Sequence, residues 1–463
     1  MTGLTKALAS YVAQPHFAGQ QHAAFEIAKT GFIDTIATMM AGSNEPVVRI
    51  VREYFASTQG PDEAPIPFAG LMRPATQAAC INGVAAHALD YDDVALSGHT
   101  STVLVPAILA EGHVLNVSGL DALRAYVVGY EVWAELFSRE SDQYHLKGWH
   151  PTGVLGCVAA AAAVATLHKL NVEQTQRALA IAASLASGLV ANFGTMTKPY
   201  HAGRAAAHGI EAVRLAILGM TAAPDVFEHP AGYMHAISLA GRIDRERPAT
   251  SLGKAPRILE SGVSIKRYPV CYSGHRTIDG VLQIAERENL QPDQIKRVHL
   301  TMGPAQASML RNHHPTTGLE AKFSAEFAVA SAIVARAVGL TQLTDDFVRR
   351  SDVSALFGKV SIAVTSERAC PLDPAFSYTD RVVIETVDGR TFDSGEIRFA
   401  LGNSQHPLDA AGLRDKFMDC IQTGHASNRD LQGADAGLYD RIAGLEHLPS
   451  LRDLFVMSTR STS

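Results

Sequence analysis

Four short segments of this chain set titratable side chains at the ends of helical stretches, amid sequence that is otherwise apolar. In the first, His87-Ala88-Leu89-Asp90-Tyr91-Asp92-Asp93 closes one helix with three carboxylates, and Gly98-His99-Thr100-Ser101 opens the next with a histidine. Acids at a helix C-terminus oppose the macrodipole, so a cost is borne there that a purely structural segment need not carry. In the second, Gly148-Trp149-His150-Pro151-Thr152-Gly153 puts a histidine where an alanine-rich helix begins. Backbone N–H groups there lack intrahelical acceptors and favour an anion. The third, Thr195 to Arg204, contains Lys198 in a region whose other charges, Lys169, Glu173 and Arg177, lie well upstream. A buried ammonium needs an anion, and a substrate carboxylate would be one. The fourth, Ile265 to His275, gathers Lys266, Arg267, Cys271 and a histidine. A thiol beside cations ionises more readily and can act as base or nucleophile.

Each segment also has a plainer role open to it. The carboxylates could cap a neighbouring helix, His150 could anchor a helix entry, Lys198 could sit on a surface loop, and Cys271 could be a buried structural thiol. Taken together, however, histidines, lysines, an arginine and an acid form the set that general acid–base work on an anionic substrate requires. Other chemistries lack their motifs. There is no glycine-rich phosphate loop, no HExxH and no GxSxG elbow. The nineteen histidines show no metal-ligand spacing, and His313-His314 are adjacent rather than one helical turn apart. The expectation is an enzyme with no metal and no cofactor.

Helices must position most of these groups. Residues 1–265 read as helix almost throughout, with stretches at 74–90, 102–115, 120–138, 152–168, 172–188 and 201–219. Phe25, Ala28, Phe32, Ile36 and Met39 recur at helical spacing, as do Val47, Ile50 and Tyr54 after Pro46. After about residue 266 the pattern changes to alternation, at Val298, Leu300 and Met302 and again at Val360, Ile362 and Val364. Arg381 to Thr391 carries a strand followed by Asp388-Gly389, a hairpin turn cue. Helices are predicted near 276–289 and 322–338, and helix returns at Leu408–Ile421 and Leu438–Ala443. The fold class expected is mainly α with a smaller α+β domain. The helical domain spans 1–265 with 405–463 packing back onto it, and the α+β domain spans 266–404. Lys266, Arg267 and Cys271 then fall at the domain junction, and clefts between domains are where ligands sit.

Composition sets outer bounds. A chain of 463 residues with 47% apolar and 19% charged residues is globular and long enough for two domains. A formal charge of −6 disfavours nucleic acid or an anionic membrane as the main partner. Five widely spaced cysteines without a CxxC pair fit reduced thiols in a cytoplasm. The N-terminus lacks the features of a secretory signal, and no window approaches the ~20 apolar residues of a membrane span.

The motifs HALDYDDV…GHTSTVLVPAILAE, GWHPTGVLGCVAAAA, MTKPYHAGRAAAHGIEA, IKRYPVCYSGH and EAKFSAEFAVASAIV resemble, in order and spacing, those of the MmgE/PrpD family. The resemblance runs from about residue 20 to 430. It implies a large helical domain with a smaller α+β domain, a homodimer, and action on a small polycarboxylate without a cofactor. Family activities include dehydration of 2-methylcitrate, decarboxylation of cis-aconitate and epimerisation of iminodisuccinate. By the resemblance, pocket residues fall on Asp90, His99, His150, Lys198 and Lys266, while Cys271 stands where the decarboxylase branch has histidine. Val94 replaces a threonine common after the acidic motif. These departures count against decarboxylation and weaken dehydration, so epimerisation is the first expectation and dehydration the alternative. In that scheme Lys198, Lys266 and Arg267 bind carboxylates and stabilise an enediolate, while His99, His150 and Cys271 carry protons and Asp90 orients a histidine. The non-enzyme alternative, a helical scaffold or binding protein, has no need of histidines and lysines at helix ends.

Overall fold

Alanine and glycine crowd the helices of the first part of the chain because those helices touch backbone to backbone. The computed structural model describes residues 3–58, 60–238, 240–365, 370, 376–427 and 435–455. Two compact units emerge, one of residues 1–191, 196–263 and 409–463, the other of 192–195 and 264–408.

The first unit opens with α1 (Leu4–Ala13), α2 (Gln21–Ala41) and α3 (Pro46–Ala56), followed by a small antiparallel hairpin of β1 (Ala64–Ile66) and β2 (Leu71–Arg73). Then come α4 (Ala75–Ala88), α5 (Ser101–Leu115), α6 (Gly119–Phe137), α7 (Pro151–Leu167), α8 (Val172–Leu185) and α9 (Thr197–Ile217), with short α10 (Tyr233–Ile237) and α11 (Ile258–Ser261). Helix α7 lies at the centre. Every residue but Thr166 is buried, and α5, α6, α8 and α9 surround it. Helices α4 and α9 cross at two glycines. A Cβ on Gly83 would lie 2.9 Å from Cα of Gly203, and one on Gly203 would lie 2.3 Å from the Cys80 carbonyl oxygen. One turn beyond this crossing on α4 is His87. Somewhat more than a turn back on α9 is Lys198.

Three sequence expectations change here. Helix α2 is not amphipathic: every residue from Gly31 to Ala41 is buried, Asp34 included. Helix α3 buries Val47, Val48, Val51 and Phe55 instead of the Val47-Ile50-Tyr54 stripe, leaving Ile50 and Tyr54 exposed. Helix α9 starts at Thr197 rather than 201, because Pro199 falls in the first turn, where a missing N–H costs nothing. Lys198 therefore belongs to a helix.

In the second unit, α12 (His275–Arg287) precedes β3 (Ile295–Met302), and α13 (Pro304–Met309) and α14 (Gly318–Ala321) lead to α15 (Ala325–Ala335). Short α16 (Asp345–Val348) and α17 (Ser351–Ser354) precede β4 (Val360–Val364), β5 (Asp380–Thr386) and β6 (Thr391–Ile397). The sheet order is β4-β3-β5-β6, with β4 parallel to β3 and the other pairs antiparallel. Val298, Leu300 and Met302 of β3 and Val382 and Ile384 of β5 are buried, as alternation requires. Helix α12 packs on β5 and β6, and α15 on β4. The hairpin expected at Asp388-Gly389 is present: β5 and β6 pair antiparallel across that turn, where Gly389 has φ +88°.

The chain then returns to the first unit as α18 (Ala410–Ser427) and α19 (Asp435–Ala443), both against α2. Among the described residues no helix is long and apolar enough to cross a membrane.

Candidate active site

The loop from α4 to α5 carries most of the chemistry, and its backbone is under strain. Asp90, Leu96 and Ser97 all have positive φ, at 53°, 50° and 57°. Each such non-glycine residue costs about 1–3 kcal/mol, a cost that surrounding contacts must offset. Leu96 and Ser97 form a two-residue turn closed by the Ala95–Gly98 bridge, a geometry that ordinarily selects Asn-Gly. Gly98 itself has no alternative: a Cβ there would lie 2.6 Å from Cζ2 of Trp133. The next residue, His99, is held by its backbone N–H donating to Thr152 Oγ1 at 3.1 Å, in the first turn of α7.

The side chains form one continuous network. Lys198 Nζ donates to Asp90 Oδ1 at 2.6 Å and to His87 Nε2 at 3.0 Å. That leaves the His87 proton on Nδ1, which donates to Asp92 Oδ1 at 2.8 Å. The other oxygen of Asp92 accepts from His99 Nδ1, also at 2.8 Å. This bond fixes the His99 tautomer and puts its lone pair on Nε2, which lies 3.7 Å from Asp90 Oδ1. Beyond it, His150 is the N-cap residue of α7, with Pro151 at the first helical position and its ring turned to His201, Nδ1 to Nδ1 at 3.1 Å. The His99 and His150 ring centroids are 6.4 Å apart.

Burial sets the charge states. His87 is pushed down to about 3, chiefly by desolvation, against which Asp92 pulls and with which Lys198 agrees. His150 is held well below its ordinary value by burial, then by the nearby Lys198 charge. His145 and His201 are each lowered to about 4, by burial first, with Lys198 a further cause in both. These four imidazoles are neutral at pH 7. Burial pushes Asp92 up, but the two flanking imidazoles outweigh it and hold the carboxyl well below its usual range. A buried anion thus spans two histidines, with an ammonium on the far side of one of them.

A second layer fixes the loop. Lys416 of α18 donates to the Tyr91 carbonyl at 2.7 Å, lies over the Tyr91 ring, and pairs with Asp34 Oδ1 of α2 at 2.6 Å. The other Asp34 oxygen accepts the Asp93 N–H at 2.8 Å. Both neighbours of Asp92 are therefore anchored through one buried cation. The Asp93 carboxyl accepts from Ser101 Oγ at 2.6 Å, and Ser101 in turn meets Tyr126. One ammonium cannot balance two buried acids, and burial with the Asp34 charge pushes Asp93 well above the usual carboxylate range.

Three sequence expectations are corrected by this geometry. Asp92 hydrogen-bonds both His87 and His99, whereas Asp90 bonds Lys198 and reaches His99 Nε2 only at 3.7 Å. Lys198 meets a protein carboxylate rather than waiting for a substrate to neutralise it. Histidines and acids do cluster: ligand atoms of His87, Asp90, Asp92 and His99 lie within 4.8 Å of one another. That donor set does not suit a resident metal ion. The Lys198 ammonium already bonds two of its members, and both Asp92 oxygens are occupied by imidazole N–H groups.

Of the residues singled out in the sequence, the structure brings together Asp90, His99, His150 and Lys198, all buried in the first unit. Lys266, Arg267 and Cys271 belong to the second unit. Lys266 is fully buried and Cys271 is a buried thiol whose N–H donates to the Lys322 carbonyl at 2.8 Å. Arg267 is exposed; burial raises Tyr268 and Asp279 above their ordinary ranges, and the Arg267 charge offsets part of that. Sequence reading missed His87, Asp92, His201 and Lys416. The first three stand inside motifs already singled out, and their spacing from Asp90, His99 and Lys198 was the available signal. Lys416 offered none.

The comparisons agree with this architecture. The MmgE/PrpD N-terminal domain matches residues 6–246 and the MmgE/PrpD C-terminal domain residues 268–436. Human cis-aconitate decarboxylase is 30% identical over 406 residues, covering 84% of this chain and 82% of its own. The mouse cis-aconitate decarboxylase is 30% identical over 358 residues, or 74% and 71% of the two chains. That of Aspergillus terreus is 26% identical over 370 residues, 74% of each. With both domains matched in order across most of its length, the chain belongs to the MmgE/PrpD family.

Proposed function

We propose that this protein is a cofactor-independent acid–base enzyme that moves a proton on a carbon beside a carboxylate of a small polycarboxylate. The reaction we favour is epimerisation of an iminodisuccinate-type amino polycarboxylate. The observation that carries the reading is the pair of imidazoles of His99 and His150, with ring centroids 6.4 Å apart. An epimerase needs two such proton carriers, one for each face of the α-carbon, each within about 3–3.5 Å of it in the complex. Inversion needs that arrangement; elimination and decarboxylation do not.

In this scheme His150, held neutral, takes the proton from the α-carbon, and the electron pair flows into the adjoining carboxylate to form an enediolate. Positive charge at Lys198 stabilises the oxygen that becomes negative, the kind of preorganised contact that often dominates catalysis. His99, first protonated on Nε2 from solvent, delivers that proton to the opposite face, Asp92 supports the positive charge while it is held, and His150 returns its own proton to solvent. His201 and Asp92 act by orienting the two rings. Lys266 and Arg267 are assigned to further carboxylates of the substrate, and Cys271 to proton transfer, from their residue types in the sequence, with the family resemblance adding Lys266. In a homodimeric enzyme of this kind both copies would carry the same site. A scaffold protein would gain nothing from burying this many ionisable groups, each of which costs free energy to desolvate.

Decarboxylation of a cis-aconitate-type tricarboxylate is the second reading, favoured by the similarity to the human and mouse cis-aconitate decarboxylases. There the carbon–carbon bond to a carboxylate breaks, CO2 leaves, and a histidine protonates the resulting carbanion. Dehydration of a 2-methylcitrate-type substrate would instead expel the hydroxyl with the α-proton. One experiment separates all three: NMR of iminodisuccinate, cis-aconitate and 2-methylcitrate with the enzyme in deuterated water. Epimerisation gives α-deuterium and a new diastereomer, decarboxylation gives loss of a carboxyl signal, and dehydration gives a new alkene. Inertness toward all three substrates would reject the proposal.

A further inference from the structure

On the stretch of chain just before His87, α3, the β1–β2 hairpin and Ile81 of α4 line an open pocket of about 360 Å³. Its polar lining is Arg49, Arg52, Glu53 and Arg73, and its apolar lining is Ala56, Ile66, Leu71 and Ile81. The α3 residues, at 49, 52, 53 and 56, follow the i, i+3, i+4, i+7 spacing of one helix face. Opposite them Ile66 pairs with Leu71 across the hairpin, and Arg73 closes its end. Ile66 and Ile81 are buried and form an apolar floor.

The charges do not balance. Three guanidinium groups face one carboxylate, in a chain whose overall charge is −6. Among the described residues none of the three arginines has an acidic partner. Arg73 donates only to the carbonyl of its neighbour Met72, at 2.9 Å, and Glu53 pairs with none of them. Like charges one helical turn apart, as at Arg49 and Arg52, destabilise a helix unless an anion joins them. Guanidinium groups favour carboxylate and phosphate because their planar N–H pairs match two oxygens at once. A volume of this size falls in the range of small-molecule sites, ~300–1,000 Å³.

We propose that this cavity is a second anion site, separate from the histidine cluster, that takes a small molecule bearing at least two carboxylate or phosphate groups. Its three cations grip the anionic groups, and its isoleucine floor accepts the carbon skeleton. Such a site gives the protein a means of sensing a polyanion without using the catalytic groups.

Titration calorimetry on the full chain tests this, with tricarballylate as the carboxylate probe and pyrophosphate as the phosphate probe. Three proteins are compared: wild type, Lys198→Met, and Arg52→Gln/Arg73→Gln. The expected result is binding of at least one probe that survives Lys198→Met and weakens at least tenfold in the arginine double variant. Which probe binds identifies the source of the anion. Arg49→Gln, a single exposed change, should weaken the same binding without altering the melting temperature. Basal turnover should be unchanged in both arginine variants. Binding of neither probe, or binding indifferent to the arginines, would overturn the proposal. So would an arginine variant that changes only the sedimentation behaviour, since the face would then belong to contacts between copies.

Discussion

Lys198 Nζ lies 2.6 Å from Asp90 Oδ1, and this buried pair joins α9 to the strained loop that follows α4. Lys198→Met should lower kcat about 10²–10³-fold, the effect of losing one donor to a developing oxyanion. It should also destabilise the fold by about 3–5 kcal/mol, since Asp90 is left buried without its cation. Adding Asp90→Asn should restore most of the stability and none of the activity. Steady-state kinetics with urea unfolding of both variants separates the two roles, and full activity in the single variant would remove Lys198 from the mechanism.

Asp92 accepts an N–H from each of two histidines, so its charge and its shape are both used. Asp92→Asn keeps the shape, but places an amide NH2 where one imidazole N–H now points, and forces a tautomer change. A fall in kcat of about 10⁴-fold is expected, with KM little altered, as when the orienting acid of a catalytic triad is neutralised. Kinetics alone decide this, because circular dichroism should show an unchanged helical content. A variant within threefold of wild type would mean that Asp92 is only structural.

Gly98 positions His99 by its lack of a side chain. In Gly98→Ala the new Cβ meets the Trp133 ring at 2.6 Å, and the ring, locked in the core, cannot yield cheaply. Overpacking of this kind costs about 1–3 kcal/mol. Turnover should suffer more than stability, because the displaced atom is one residue from His99. A crystal structure of the variant should show His99 moved; an unmoved ring with normal turnover would contradict the assignment.

Acid should weaken the fold before it reaches the carboxylates. His87, His145, His150 and His201 all bind a proton less readily in the folded state than their ordinary value of 6.5 implies. Between pH 6.5 and about 4 the unfolded chain therefore holds protons that the native chain refuses, so stability must fall as pH drops. His87 extends the window to about 3. The raised carboxyls of Asp34, Asp93, Glu131, Asp279 and Asp380 act in the opposite sense, while His113 and His208, also lowered by burial, add to the four imidazoles of the site. Urea midpoints should decline steadily from pH 7 to pH 5. A flat or rising midpoint would mean that the imidazoles are charged in the native protein.

Lys416 reaches the site only through backbone and a second carboxylate. Lys416→Met should thus cost stability, about 3–5 kcal/mol for stranding Asp34. Turnover should fall by roughly tenfold or more through loosening of the Tyr91–Asp93 backbone. Added substrate should not rescue the loss, since KM is set elsewhere. An activity loss confined to KM would argue against a positioning role.

The sequence made the helices legible because their apolar spacing, proline starts and short polar breaks are local signals. It made the two-domain split and the strand positions legible for the same reason. What it could not convey is how α4 and α9 cross. The Gly83–Gly203 contact sets which lysine meets which acid, and it depends on two residues 120 positions apart. Hence the sequence alone does not tell Asp90, which bonds Lys198, from Asp92, which bonds the two histidines. On α3 two stripes fit helical spacing, Val47-Ile50-Tyr54 and the buried Val47, Val48, Val51 and Phe55. Only the packing of α4 and its neighbours decides which stripe turns inward. Lys416 lies more than 300 residues after the loop it anchors, in a helix with ordinary surface composition.

The central claim is that hydrogen moves at a carbon beside a carboxylate, between His150, His99 and solvent. Its most direct measurement is the rate of deuterium entry at the α-carbon of iminodisuccinate, followed by mass spectrometry for wild type and for His99→Gln. Rapid incorporation by the wild type, reduced at least a hundredfold in the variant, is the predicted result. Incorporation at the same rate in both proteins, or in neither, would contradict it.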